Sequence, residues 1–178
     1  MQTPPLALYV HLPWCVRKCP YCDFNSHSAP NGAPRERYVS ALLADLDAEA
    51  TRAPERPLVS VFLGGGTPSL VPPEDIARLV TGIRQRFELE PSAEITMEAN
   101  PGTVECGDPA GYRDAGINRL SIGAQSFDAA MLRTLGRIHS VEDIVRAVED
   151  ARQAGFDNFN LDLMYGLPGQ DVAAAMQD

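Results

Sequence analysis

Three of the four cysteines sit together, at Cys15, Cys19 and Cys22, in the pattern C-x3-C-x2-C. An odd number of neighbouring thiols cannot all pair as disulfides. Their negative charge, once they ionise, suits a metal or a cluster. Three soft thiolates satisfy three irons of a cubane [4Fe–4S] cluster and leave the fourth iron open. A tetrahedral zinc site needs a fourth protein ligand, which His11 or His27 could supply. Unliganded core cysteines are the third reading of the same spacing. Cys106 stands too far along the chain to join the group, and reads as a small buried hydrophobe or an incidental thiol.

The elements that must position this loop follow from periodicity. Leu6 to Leu12 is an apolar run that ends at Pro13 and reads as a strand leading directly into the cysteines. Asn31-Gly32-Ala33-Pro34 is turn chemistry, with Pro34 suited to a first helical position. Val39, Leu42, Leu43 and Leu46 then recur at helical spacing, up to about Ala53. Leu58–Leu63 is a second strand and runs into Gly64-Gly65-Gly66-Thr67-Pro68. Pro72-Pro73-Glu74-Asp75 opens a helix with its acids in the first turn, where the helix dipole favours them. Ala93–Ala99 is a third strand, a short helix around Tyr112 stops at Gly116, and Ile117–Ala124 is a fourth strand. A helix near Ala129–Leu135 precedes another that starts at Ser140, where Ser140 and Asp143 form a capping-box pattern and Ile144, Val145 and Val148 face inward. Phe156–Met164 is a fifth strand, and the residues after Gly169 read as the opening turns of a helix.

Strands alternating with amphipathic helices imply an α/β fold with a parallel sheet, here about five βα units. Parallel strands are normally apolar on both faces. These are not. Thr96, Glu98 and Asn100 share one parity, as do Arg119, Ser121, Gly123 and Gln125, and again Asn158, Asn160 and Asp162. A barrel whose lumen holds a polar ligand accounts for all three patterns, with ordinary loop-capping residues as the competing reading. Glu98, Gln125 and Asp162 fall near the carboxyl ends of their strands, the end that carries the site in parallel barrels. The cysteine loop and the glycine turn follow strand ends too, so the candidates converge on one mouth. The glycine run lacks the G-x-G-x-x-G spacing of a dinucleotide loop and the lysine of a phosphate-binding P-loop. Bare glycines there let backbone groups approach a ligand, and a plain tight turn fits them equally.

Composition narrows the partners. The chain has 178 residues, 44% of them hydrophobic, enough for one globular domain. Its formal charge is -9, from 24 acids against 15 bases, and no Lys/Arg stripe appears, which argues against nucleic acid as a partner. No apolar run approaches membrane-spanning length, and the N-terminus has neither a basic region nor an apolar one of the secretory kind. Clustered cysteines without a secretory signal fit a reducing cytoplasm.

The cysteine spacing, with the aromatic Tyr21 before the last thiol, resembles the radical S-adenosylmethionine (SAM) enzymes. The wider run from Tyr9 to Phe24 resembles one branch of them, the oxygen-independent coproporphyrinogen III oxidase-like proteins, and within it the HemW-type haem chaperones. The resemblance covers nearly the whole chain. It implies a partial (β/α)6 barrel truncated after about five units, with residues 1–178 an incomplete core domain and a C-terminal domain absent. It implies that Cys15, Cys19 and Cys22 hold a [4Fe–4S] cluster, and that Tyr9, Tyr21, Gly65, Gly66, Thr67, Glu98, Gln125, Arg137 and Asp162 contact SAM. An electron from such a cluster would cleave the sulfonium of SAM to methionine and a 5′-deoxyadenosyl radical. Implied partners are haem or a porphyrin, a haem-acceptor protein, and an electron donor such as a flavodoxin or ferredoxin. The oxidases of the branch carry a further cysteine two residues after the third. Here Asp23 and Phe24 follow Cys22, the ending of the chaperone type. An oxidase that decarboxylates coproporphyrinogen III and a structural zinc protein are the alternatives. His11 and His139 are of a type that could bind haem iron, with rim or core histidines as the competing reading.

Overall fold

The computed structural model describes residues 4–28, 34–53, 55–102 and 107–178. The turn expected at Asn31–Ala33 and the thiol of Cys106 lie outside them. The described chain forms β1 (Leu6–Leu12), β2 (Trp14–Cys15), β3 (His27–Ser28), α1 (Arg35–Arg52), β4 (Leu58–Gly65), a 3-10 turn (Pro68–Leu70), α2 (Pro73–Arg86), β5 (Leu89–Ala99), α3 (Pro109–Asp114), β6 (Arg119–Gln125), α4 (Ala129–Thr134), α5 (Val141–Gln153), β7 (Phe159–Leu163) and α6 (Val172–Gln177). The main sheet is five-stranded in the order β1-β4-β5-β6-β7, and every pairing is parallel. Strand order follows chain order with no reversal, which is the winding of a βα barrel rather than of a doubly wound sheet. Five βα units are present, as the pattern of apolar runs implies.

The main core lies between the sheet and its covering helices. Ile95 and Met97 of β5 point into it at 1% and 0% exposure, beside Ile76, Leu79 and Ile83 of α2. The opposite parity of the same strand, Thr96 and Glu98, turns to the lumen side, where Glu98 lines a cavity. The α1 stripe packs as its spacing predicts, with Val39 and Leu46 buried. The N-terminus of α5 is capped as the sequence implies, and α4 has a side-chain cap that the sequence reading did not single out. Ser140 and Asp143 make a reciprocal capping box on α5, and Asp128 accepts from the Ala130 and Met131 N–H groups at the start of α4. Pro34 is the N-cap of α1 rather than its first helical residue.

Three boundaries differ from the sequence reading for identifiable reasons. β5 begins at Leu89, because Leu89 pairs with Leu58 and the register break after that pair absorbs Pro91. Ile117 and Phe156, read as strand starts, instead close helices. Gly116 and Gly155 take φ of +100° and +85°, and the N–H groups of Ile117 and Phe156 reach back to the Tyr112 and Ala151 carbonyls. Both side chains are buried apolar anchors of these turns, so the strands start later. Val145, expected to face inward, is 49% exposed, because α5 buries Ile144, Ala147 and Ala151 instead. Among the described residues, no helix is long and apolar enough to cross a membrane.

Candidate functional site

The cysteine loop leaves β1 at Pro13 and is closed on itself before it meets the sheet. The short strands β2 and β3 pair Trp14 with His27 and Cys15 with Ser28. The His27 N–H donates to the Pro13 carbonyl at 2.7 Å, Lys18 Nζ to the Phe24 carbonyl at 2.9 Å, and the Cys22 N–H to the Cys19 carbonyl at 3.1 Å. Two bonds dock the closed loop onto the glycine turn. The Gly66 N–H donates to the Leu12 carbonyl at 2.8 Å, and the Thr67 N–H to the Trp14 carbonyl at 2.7 Å. The approach requires glycine. A Cβ on Gly66 would lie 2.6 Å from the Trp14 oxygen and 2.7 Å from the Pro13 carbonyl carbon. Gly64 and Gly65, read as part of the turn after the second strand, instead complete β4 by pairing with His11 and Leu12.

A cavity of about 620 Å³ opens at the carboxyl ends of the strands. Its size falls within the roughly 300–1,000 Å³ of small-molecule sites. Cys15, Cys19, Cys22 and Tyr21 line one side, Gly65, Gly66 and Thr67 another, and Glu98, Gln125, Arg137 and Asp162 the remainder. The structure thus brings together every residue that the resemblance assigns to the cluster or to SAM except Tyr9, which does not line the cavity. Tyr9 stacks on Phe62 at 6.2 Å between ring centroids, and it is Phe62 that reaches the cavity wall.

Each polar group has a defined support. Glu98 Oε2 accepts from the Gly65 N–H at 3.0 Å. Burial pushes its carboxyl pKa up, the Gly65 bond offsets part of that, and Asp162 adds to the rise. Asp162 accepts from the Ser121 hydroxyl at 2.9 Å and from Asn160 Nδ2 at 2.7 Å, so its carboxylate is fixed at the rim. Thr67 is 2% exposed and accepts from Asn100 Nδ2 at 3.0 Å. Gln125 is the sole non-glycine with positive φ among the described residues, at 70°. Side chains rarely tolerate that region, and such residues cluster at functional sites. Burial raises the Tyr21 phenol, and the neighbouring Arg137 partly offsets this.

Arg137 follows the α4 terminus. Gly136 takes φ of +70°, and the Arg137 N–H reaches the Leu132 carbonyl at 2.9 Å. This is the same helix-ending turn that holds Ile117 and Phe156, but here it carries a guanidinium into the cavity. Arg137 donates through Nη2 to Asn100 Oδ1 at 2.7 Å and through Nη1 to Cys19 Sγ at 3.6 Å. Its Nε is buried with no partner among the described residues.

The histidines are otherwise engaged. His11 accepts at Nδ1 from the Tyr9 hydroxyl at 3.0 Å, and its Nε2 donates to the Asn25 carbonyl at 2.8 Å. Both ring nitrogens are committed to holding the loop against β1, which leaves neither for a metal. His27 is exposed on β3 and outside the cavity. Among the described residues, no three His, Cys, Asp or Glu side chains close around one metal-ion position. The thiols instead line a cavity wall. Sequence reasoning missed Phe62, Arg17 and Lys18 as cavity residues, and placed Asn100 on the lumen parity of β5 without naming it as a ligand contact. The place of Arg17 and Lys18 between two cysteines was the signal available.

The comparisons agree with this geometry. The model of the radical SAM superfamily matches residues 9–177. The haem chaperone HemW of Escherichia coli (strain K12) is 50% identical over 178 residues, all of this chain and 47% of that protein. HemW of Haemophilus influenzae is 50% identical over 99% of this chain and 47% of its own length. The chain therefore spans about half the length of the curated relatives it matches. A solved structure of coproporphyrinogen III oxidase (HemN) from Escherichia coli, described as a radical SAM enzyme, superimposes with a TM-score of 0.85 at 33% identity, over 97% of this chain and 40% of that one. A parallel half-barrel, a cysteine loop docked on a glycine turn, and a family match along nearly the whole chain lead to one placement: this chain belongs to the radical SAM superfamily.

Proposed function

We propose that residues 1–178 form one radical SAM core domain, that it binds a [4Fe–4S] cluster and SAM, and that it serves a haem chaperone. The observation that carries the site reading is the convergence of three thiols, the glycine turn and a polar rim on one cavity at the strand carboxyl ends. The residues fit the groups that the family implies. Three cysteines on one wall give a cluster three protein ligands, and the neighbouring His11 is spoken for. The unpartnered Arg137 Nε gives a ligand carboxylate a buried donor to meet. A reduced cluster supplies the single electron that opens the sulfonium of SAM to radical chemistry.

The chain's own residues bind and orient. Cys15, Cys19 and Cys22 hold the cluster. Gly65 and Gly66 expose backbone to the amino-acid end of SAM, with Thr67 beside them and Arg137 on its carboxylate. Asp162, fixed by Ser121 and Asn160, accepts from ribose hydroxyls. Glu98, Gln125 and Tyr21 complete the wall, and Tyr9 acts from behind Phe62. No side chain is assigned as acid, base or nucleophile.

Two observations favour a chaperone over an oxidase. Cys22 is followed by Asp23 and Phe24, with no cysteine two residues on. Identity to the HemW proteins is 50%, against 33% to the oxidase. The partners of this reading are haem or a porphyrin, a haem-acceptor protein, and a flavodoxin- or ferredoxin-like electron donor in a reducing cytoplasm. The close superposition on the oxidase supports the second reading, decarboxylation of coproporphyrinogen III. Anaerobic protein with a reconstituted cluster, given reductant, SAM and coproporphyrinogen III, separates them by mass spectrometry. Stoichiometric haem uptake in a parallel titration, with no decarboxylated product, is expected. Appearance of protoporphyrinogen would overturn the chaperone reading.

A further inference from the structure

Arg137 is tied more tightly than contact with a bound cofactor requires. Its Nη2 meets three acceptors, Asn100 Oδ1 at 2.7 Å, the Gly123 carbonyl at 3.1 Å and His139 Nδ1 at 3.4 Å. Each acceptor is itself held. Asn100 donates to Thr67, and His139 Nε2 donates to the Ala124 carbonyl at 3.2 Å. Burial and the adjacent guanidinium push the His139 pKa down to about 4, so the ring is neutral near pH 7 and offers Arg137 a lone pair rather than a second positive charge. Arg17 donates to the Gly136 carbonyl, which joins the cysteine loop to the turn that carries Arg137. Among the described residues, Arg137 forms no ion pair with a carboxylate. Its charge is therefore not neutralised locally, and Nη1 is left facing Cys19 Sγ at 3.6 Å.

We infer that Arg137 is a redox-positioning residue: its Nη1 hydrogen bond to the Cys19 sulfur, held in place by Asn100, Gly123 and His139, raises the reduction potential of the cluster before SAM is bound. The inference rests on the cluster reading above. Reduction adds one electron to the cluster, and part of that charge falls on the ligating sulfurs. A charge-assisted donor beside one of them stabilises the reduced form more than the oxidised form. The Arg137–Cys19 contact is part-buried, where the effect is stronger than in open solvent. The fixed acceptors matter because a mobile arginine would swing out to solvent.

The test is a spectroelectrochemical titration of reconstituted protein without SAM, on wild type, Arg137→Gln, Arg137→Lys and Asn100→Ala, with iron and acid-labile sulfide measured in each. Arg137→Gln is expected to retain the cluster and to show a reduced-to-oxidised ratio about tenfold lower at a fixed potential, a fall of about 59 mV for one electron. Arg137→Lys keeps the charge but loses the fork, and Asn100→Ala loosens the anchor, so both should fall part of the way. A cluster fully loaded in Arg137→Gln at an unchanged midpoint would overturn the proposal. If that variant does not load, Asn100→Ala decides, and an unchanged midpoint there overturns it equally. Wild-type protein without iron and sulfide would instead show that the cluster reading had failed, and the proposal with it.

Discussion

Gly66→Ala tests how the cysteine loop is held. Gly66 is not among the positive-φ glycines, so alanine meets no backbone strain there. The obstacle is contact alone. The added Cβ would lie 2.6, 2.7 and 2.8 Å from three backbone atoms of Pro13 and Trp14, which cannot rotate away as a side chain could. Ordinary contact begins near 3.4 Å, so the loop must retreat by roughly 0.6–0.8 Å. That movement lengthens the two docking bonds, Gly66 to Leu12 at 2.8 Å and Thr67 to Trp14 at 2.7 Å, toward the limit of a hydrogen bond. Overpacking costs about 1–3 kcal/mol, and each weakened bond up to about 1 kcal/mol. The expected loss is about 2–4 kcal/mol in urea unfolding, with an unchanged denaturant slope and reduced iron uptake after reconstitution. Gly155→Ala is the control. It has φ of +85° and nothing within 4 Å, so it should cost about 1–2 kcal/mol through backbone strain and leave iron uptake intact. A Gly66→Ala protein within about 0.5 kcal/mol of wild type that loads a full cluster would refute the docking argument.

Other perturbations have definite expected outcomes. His139 binds its proton less readily folded, at a pKa of about 4, than at the ordinary 6.5, so the unfolded chain takes up the extra proton. Its contribution is complete above pH 6.5 and is lost as pH falls toward 4. The loss is about 3 kcal/mol at face value and roughly 1–2 kcal/mol after solvent screening. Urea midpoints measured across that window should fall less in His139→Gln than in wild type, and equal slopes would contradict the assignment. Ser140→Ala removes half of the α5 capping box and should cost about 1 kcal/mol in thermal unfolding without touching the cavity. Cys19→Ser should abolish cluster loading and leave far-UV circular dichroism unchanged, because the loop lies outside the main core. A full cluster in that variant would count against the ligand assignment.

The parts legible in the sequence were those set by local pattern. The apolar runs of β1 and β4, the alternation in β5 to β7 and the Ser140–Asp143 box each report on neighbours a few residues away. The lumen rim was legible for the same reason, since parity alone places Glu98, Gln125 and Asp162 on one side. What was not legible depended on partners distant in the chain. Phe156 and Ile117 are apolar enough for strands, but a preceding glycine bends each of them onto its own helix. Leu89 joins β5 only because Leu58 stands ready to pair with it. Val145 is as apolar as Ile144, and only the direction of the sheet decides which of them is buried. Phe62 takes the place at the wall expected for Tyr9, because the Tyr9 hydroxyl is drawn to His11 and its ring stacks on Phe62. The contact of Arg137 with Cys19 spans 118 residues and has no local trace at all.

The most direct test of the central claim is elemental and spectroscopic. Anaerobically purified and reconstituted protein is analysed for iron, acid-labile sulfide and zinc, and its reduced form is examined by electron paramagnetic resonance with and without SAM. A brown protein with iron and sulfide in equal amounts, and a reduced-cluster signal that changes when SAM is added, is the predicted result. A colourless protein carrying zinc and no sulfide would contradict it, and would make the three cysteines a structural site.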